Sequence, residues 1–132
     1  MKEVLSIIYS HPDANVRELA CLVMIDATDN NIKLQAYALR LGALYLTRHF
    51  EKEQDMETKD AVFAAIYSLL KGENLEGKRL FIKEYDGLNF IERLIKQDQP
   101  LRLQCTIMEL LFDLLSDKQL NQRSDDKVLR AF

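Results

Sequence analysis

The sequence contains little that would break a helix. Two prolines and four glycines interrupt 132 residues, and no stretch alternates Val, Ile or Thr with polar residues. That pattern excludes a strand-rich fold and leaves an all-helical one. Long apolar runs are missing too. The longest reach seven residues, as in Leu19 to Ile25, whereas a membrane span needs roughly 20. A basic excess is also lacking. The net charge is −3, which argues against the cationic face of a nucleic-acid-binding protein. The two cysteines, Cys21 and Cys105, sit mid-helix among apolar residues in the first helices of different units. Such positions stack a repeat or more apart, beyond the ~7 Å a disulfide can bridge, so both are expected as buried free thiols. They do not decide the redox compartment.

Signatures of chemistry are equally scarce. Neither G-x-x-x-x-G-K-[ST] nor G-x-G-x-x-G occurs, so no loop is built to cradle phosphate. His11 lies in a loop beside Pro12, and His49 has only Glu53 at helical spacing. Two residues do not make a metal site. No nucleophile has a base beside it, and Asp26 and Asp113 read as structural. No enzyme activity, metal, cofactor or small-molecule substrate is expected. The acidic residues Glu51, Glu53, Asp55 and Glu57 read as a solvated linker. Phe63, Tyr67, Phe81, Phe90 and Phe112 recur at helical spacing and read as core.

What is present is a core-forming composition, 48% hydrophobic and 30% charged, ample for one domain. Residues 2–10 form a short helix, the end of a preceding unit. His11-Pro12-Asp13 breaks the chain, and Asp13 can cap the next helix, 14–28. Asp29-Asn30-Asn31 closes that helix and caps 32–41. Gly42 leads into 43–52. A helix over 59–71 is ended by Gly72, Asn74 caps 75–85, and Asp86-Gly87 turns the chain into 88–96. Pro100 suits the first turn of a helix over 101–115. Ser124-Asp125-Asp126 starts a terminal helix, 124–132. Both ends look cut from a longer protein.

This layout repeats. Ala20, Ala61 and Cys105 hold one small-residue place at spacings of 41 and 44. Ile25, Ile66 and Leu110 follow five residues later, and Arg17 and Arg102 match three residues earlier. Gly42-Ala43-Leu44 corresponds to Asp86-Gly87-Leu88. A three-helix unit of about 40–47 residues is the armadillo/HEAT signature. The expected fold is therefore an all-α, armadillo-like right-handed superhelix. Its units are 14–52 and 56–96, with a further one starting at 100–115. The first helix of the 56–96 unit, flanked on both sides, should be the best-buried element. The third helix of each unit is expected to line the concave, partner-facing side. Aligning 43–52 with 87–96 points Tyr45 and Asn89 outward, then Arg48 and Glu92, His49 and Arg93, and Lys52 and Lys96. Lys2, Glu3 and Ser6 would extend this ridge.

Three stretches carry a family likeness. They are VRELACLVMIDATDNNIKLQAYALRLGAL (16–44), TKDAVFAAIYSLLKG (58–72) and LRLQCTIMELLFDLLSDK (101–118). With an R-x-x-A helix, an Asn-rich break and an L-G-A-L turn, they resemble the armadillo-repeat nucleotide exchange factors of the seventy-kilodalton heat-shock chaperones. LLFDLLSDK is more similar to the endoplasmic-reticulum branch, whose partner is BiP, than to the cytosolic branch. Asp26-Ala27 and Tyr85-Asp86-Gly87 depart from the family pattern. Family members carry about four units, against roughly two and a half here. The resemblance implies binding to a chaperone nucleotide-binding domain, promotion of ADP release, and a lumenal location with the cytosol as the alternative. It implies no nucleic acid and no membrane insertion. A rival reading is a general armadillo interaction scaffold without exchange activity.

Overall fold

The computed structural model describes residues 1–116, all helices and turns, with no strand among them. The helices are α1 (Lys2–Ser10), α2 (Ala14–Thr28), α3 (Ile32–Arg40), α4 (Leu46–Lys52), α5 (Met56–Leu70), α6 (Leu75–Glu84), α7 (Gly87–Lys96) and α8 (Leu101–Ser116). A 3-10 turn, Ala43–Tyr45, precedes α4. The terminal helix expected over 124–132 lies outside the described residues.

The repeat is set by caps and turns. Asp13 and Asp55 occupy equivalent N-caps, their carboxylates accepting from Asn15 N and Thr58 N. Asn31 and Asn74 do the same for α3 and α6, accepting from Leu34 N and Gly77 N. Each meets one of the four N–H groups that a helix start leaves without a partner. Left-handed backbone recurs in the same register, at Asn30 and Gly72, then at Gly42 and Asp86. Asp86 takes this conformation without being glycine, at φ 55°, which short polar side chains tolerate.

Three rows result: α2, α5 and α8; α3 and α6; and α1, α4 and α7. This is an armadillo-like helical repeat. α5 is the buried axis, as expected. Nine of its residues are buried, and it touches α2, α3, α4, α6 and α8. Phe63 of α5 meets Phe50 of α4 and Phe90 of α7 at centroid distances of 5.9 and 6.2 Å, and Phe81 of α6 meets Phe90 at 6.5 Å. One aromatic cluster thus joins members of all three rows. Each such pair adds about 0.5–1.5 kcal/mol beyond its buried area.

The rows are also stitched by polar groups. Thr28 and Ser68 hydroxyls pair at 2.9 Å between α2 and α5. Gln35 Nε2 donates to the carbonyls of Ser68 (2.8 Å) and Lys71 (3.2 Å), which close α5. Lys78 holds the matching place one unit later. Its ammonium is buried, donates to Gly72 O, and lies 3.4 Å from Asp113 of α8.

Four expectations need correction. α5 begins three residues early, because Asp55 is a cap and not linker. Residues 43–45 are 3-10, so α4 is only seven residues long. Phe112 and Cys105 are exposed instead of core. With Leu101 and Met108 they form the outer stripe of α8, which no helix among the described residues covers. α2, at the other end of its row, likewise leaves Leu19, Leu22 and Val23 exposed. Apolar periodicity shows that a face wants cover, not which neighbour supplies it.

Candidate partner-binding ridge

α4 and α7 lie side by side because each is launched by a left-handed residue, Gly42 and Asp86, followed by a buried small residue, Ala43 and Gly87. A Cβ on Gly87 would meet the Phe81 ring at 2.4 Å. Glycine therefore allows the start of α7 to sit directly on α6.

Of the eight ridge residues expected to face outward, Tyr45, Arg48, Lys52, Asn89, Arg93 and Lys96 are exposed, and Glu92 is half-buried. Arg93 Nη2 donates to Glu51 Oε1 at 2.8 Å, tying α7 to α4 across one unit. Lys96 pairs with Glu92 at 3.1 Å within α7. Asn89 donates to Asp86 Oδ1 at 2.7 Å. Arg48 lies over the Tyr45 ring, 5.3 Å from its centroid, and Lys52 projects from the last turn of α4. Lys2, Glu3 and Ser6 of α1 are exposed as well.

His49 does not face outward. Its side chain is only 13% exposed, edge-on to Tyr9 and 3.1 Å from Glu53 Oε1. It supports the ridge from beneath.

Glu53 also departs from expectation, since its side chain is 2% exposed instead of solvated. Arg17 Nε and Nη2 grip its two oxygens at 2.9 and 2.8 Å, and the backbone N–H groups of Gln54 and Asp55 donate to it. The Arg17 contact, more than any other, draws its pKa down to about 2, with the Asp55 N–H and His49 adding to the effect. Arg17 also donates to His11 O at 2.7 Å. This node fixes the ends of α1 and α4 against the start of α2.

Spacing alone missed two further ridge features. At the head of the ridge, Tyr45 and Tyr85 pack edge to face at 5.4 Å, and Tyr9 donates to Gly42 O at 3.4 Å. Burial, with Tyr85 and Tyr45 nearby, pushes the Tyr9 hydroxyl up to about 12. Three tyrosines from three units thus share one patch, of the kind that anchors interfaces. Below it, a groove of about 300 Å³ between α4 and α7 is lined by Arg48, Glu51, Glu84, Asp86 and Arg93. The Glu51–Arg93 spacing of 42, one repeat, was the signal available in the sequence.

The ridge presents charged and aromatic surface. Among the described residues no group of three or more His, Cys, Asp or Glu is placed to hold a metal, and no helix is long and apolar enough to cross a membrane.

Among known families, the model of the SIL1/FES1/HPBP1 C-terminal domain matches residues 1–131. Neither curated proteins nor solved structures yield a match to the chain.

Proposed function

We propose, from a chain that belongs to the SIL1/FES1/HPBP1 C-terminal domain family of Hsp70 nucleotide exchange factors, that its α4/α7 ridge grips the chaperone's nucleotide-binding domain. We further propose that this chaperone is BiP, in the endoplasmic reticulum lumen. The observation that carries the ridge assignment is the cross-unit union of α4 and α7. Tyr45 precedes α4, and Arg48, Lys52, Arg93 and Lys96 project from two helices that meet through the buried Phe50–Phe90 contact and are bridged at the surface by the Glu51–Arg93 pair. A surface held across two units can grip one lobe of a partner as a rigid body. The similarity of LLFDLLSDK to the lumenal branch supports BiP over a cytosolic homologue.

The mechanism is conformational. A ligand shifts an equilibrium only by its differential affinity for the two states. If the ridge binds the open nucleotide cleft about 100-fold better than the closed one, it shifts the balance by roughly 2.7 kcal/mol toward ADP release. Linkage then requires ADP to weaken the ridge's own binding by the same factor. No residue of the chain is assigned a covalent step.

Release of a fluorescent ADP analogue tests both parts, with BiP and a cytosolic Hsp70 run in parallel. Acceleration with BiP is expected. Acceleration only with the cytosolic protein would move the partner and the compartment. If neither responds, the exchange reading fails. Reversing Arg48, Lys52 and Arg93 together to Glu should weaken binding at least tenfold with helical content unchanged. Equal binding by that variant would place the interface elsewhere.

A further inference from the structure

A second groove lies away from the ridge. It runs between α3 and α6, encloses about 540 Å³, and shares with the ridge groove only Glu84 at its margin. Its floor is apolar: Ala36 and Leu39 from α3, Leu80 from α6. The two helices come close because Gly77 has no side chain. A Cβ there would sit 3.0 Å from Leu39 Cδ1 and closer still to Asn74, the cap of α6. The groove is therefore formed by the repeat packing itself.

Its rim carries three cations, Arg40, Arg79 and Lys83, against two carboxylates, Glu76 and Glu84, in a chain whose net charge is −3. α3 carries Lys33 and Arg40 and no carboxylate. Arg79 and Lys83 follow each other at i and i+4 on α6, between Glu76 and Glu84. Arg40 and Lys83 hold the same place in successive units, 43 residues apart, like the caps Asn31 and Asn74. Several cations elsewhere are matched: Arg17 with Glu53, Lys71 with Asp29, Lys78 with Asp113, and Arg93 with Glu51. On this rim Arg79 and Lys83 make no ion pair among the described residues, and Arg40 rests only on the Tyr37 ring, 5.9 Å from its centroid.

We propose that the α3/α6 groove is a second docking surface, separate from the ridge, for an acidic amphipathic helix of a partner protein. Two neighbouring helices of 9 and 10 residues line a channel roughly 15 Å long at 1.5 Å per residue. That length accepts two to three turns of a helix carrying aliphatic residues at i, i+4 and i+7. The aliphatic face covers Leu39 and Leu80. Carboxylates flanking that face meet Arg40 on one wall and Arg79 and Lys83 on the other. The complementarity is one of sign and steers orientation and on-rate as much as affinity. The surface offers no stacked aromatic platform of the sort single-stranded nucleic acid uses. This assignment does not depend on the exchange reading.

The test uses the whole 132-residue chain and a fluorescein-labelled synthetic helix with Leu at i, i+4 and i+7 and Glu flanking them, followed by anisotropy. The expected result is saturable binding that falls at least tenfold in Arg79→Glu/Lys83→Glu and about threefold in the milder Arg79→Gln/Lys83→Gln. Binding should also fall at least tenfold when Lys replaces Glu in the peptide, and weaken as salt rises. Reversal of Arg48, Lys52 and Arg93 on the ridge should leave it unchanged. Circular dichroism checks that each variant keeps its helix content. The proposal is overturned if the Lys peptide binds as well as the Glu peptide, or if both groove variants bind like the parent. It is equally overturned if vesicles rich in phosphatidylserine or single-stranded oligonucleotides bind through Arg79 and Lys83 while the Glu peptide does not.

Discussion

Arg17 and Glu53 face each other across one repeat, two nitrogens on two oxygens at 2.9 and 2.8 Å, with the carboxylate almost wholly buried. The folded pKa of Glu53, about 2, lies below its ordinary 4.5. Its contribution is therefore complete above about pH 4.5 and is lost as pH falls toward 2. Glu53→Gln should cost about 1–3 kcal/mol at pH 7, because Arg17 then loses its charged hydrogen-bond acceptor. Urea unfolding at pH 7 and pH 3 measures this. The two proteins should differ less at the lower pH.

The other ionic link on the ridge should behave differently. Arg93 and Glu51 are each about half exposed, at 50% and 49%, so water and salt screen their attraction. Arg93→Glu should move stability by less than about 0.5 kcal/mol. If the ridge is the docking surface, the same change weakens chaperone binding at least tenfold. Thermal melting beside a binding titration separates these effects.

Gly87 is fixed by the ring beneath it. Gly87→Ala places a methyl group 2.4 Å from Phe81, and the aromatic cluster around Phe90 leaves that ring little room to retreat. Overpacking of this kind costs about 1–3 kcal/mol. The urea midpoint should drop with the m-value unchanged.

The two thiols should separate cleanly. Cys105 is exposed, whereas Cys21 is buried and its pKa is pushed up to about 12 by that burial. A maleimide at neutral pH should label one thiol rapidly in the native protein and the second only in denaturant. Cys105→Ser should abolish the fast phase.

Much of the fold could be read from the sequence because local chemistry repeats. Asp13 and Asn74 precede helices as caps, and Gly42 and Asp86 mark the same turn in successive units. Asp55 escaped notice because it sits among other acids and α5 opens with a weakly apolar turn. The burial of Glu53 was not legible at all, since its partner Arg17 lies 36 residues away. Helical spacing put His49 on the outer face of α4. Contact with Tyr9, from another unit, turned it inward. On the ridge, periodicity found the exposed members, while the tyrosine patch needed three units brought together in space.

Gln35 gives the stack a property that no single helix has. Its amide holds the last carbonyls of α5, although it belongs to the helix of an earlier unit. Lys78 reaches forward in the same way, toward Asp113 of α8. A fluctuation that opens α3 therefore strips the end of α5 too, and one that opens α6 loosens α8. Neighbouring units should lose their amide protection together in hydrogen exchange, as one cooperative block instead of a series of fraying ends.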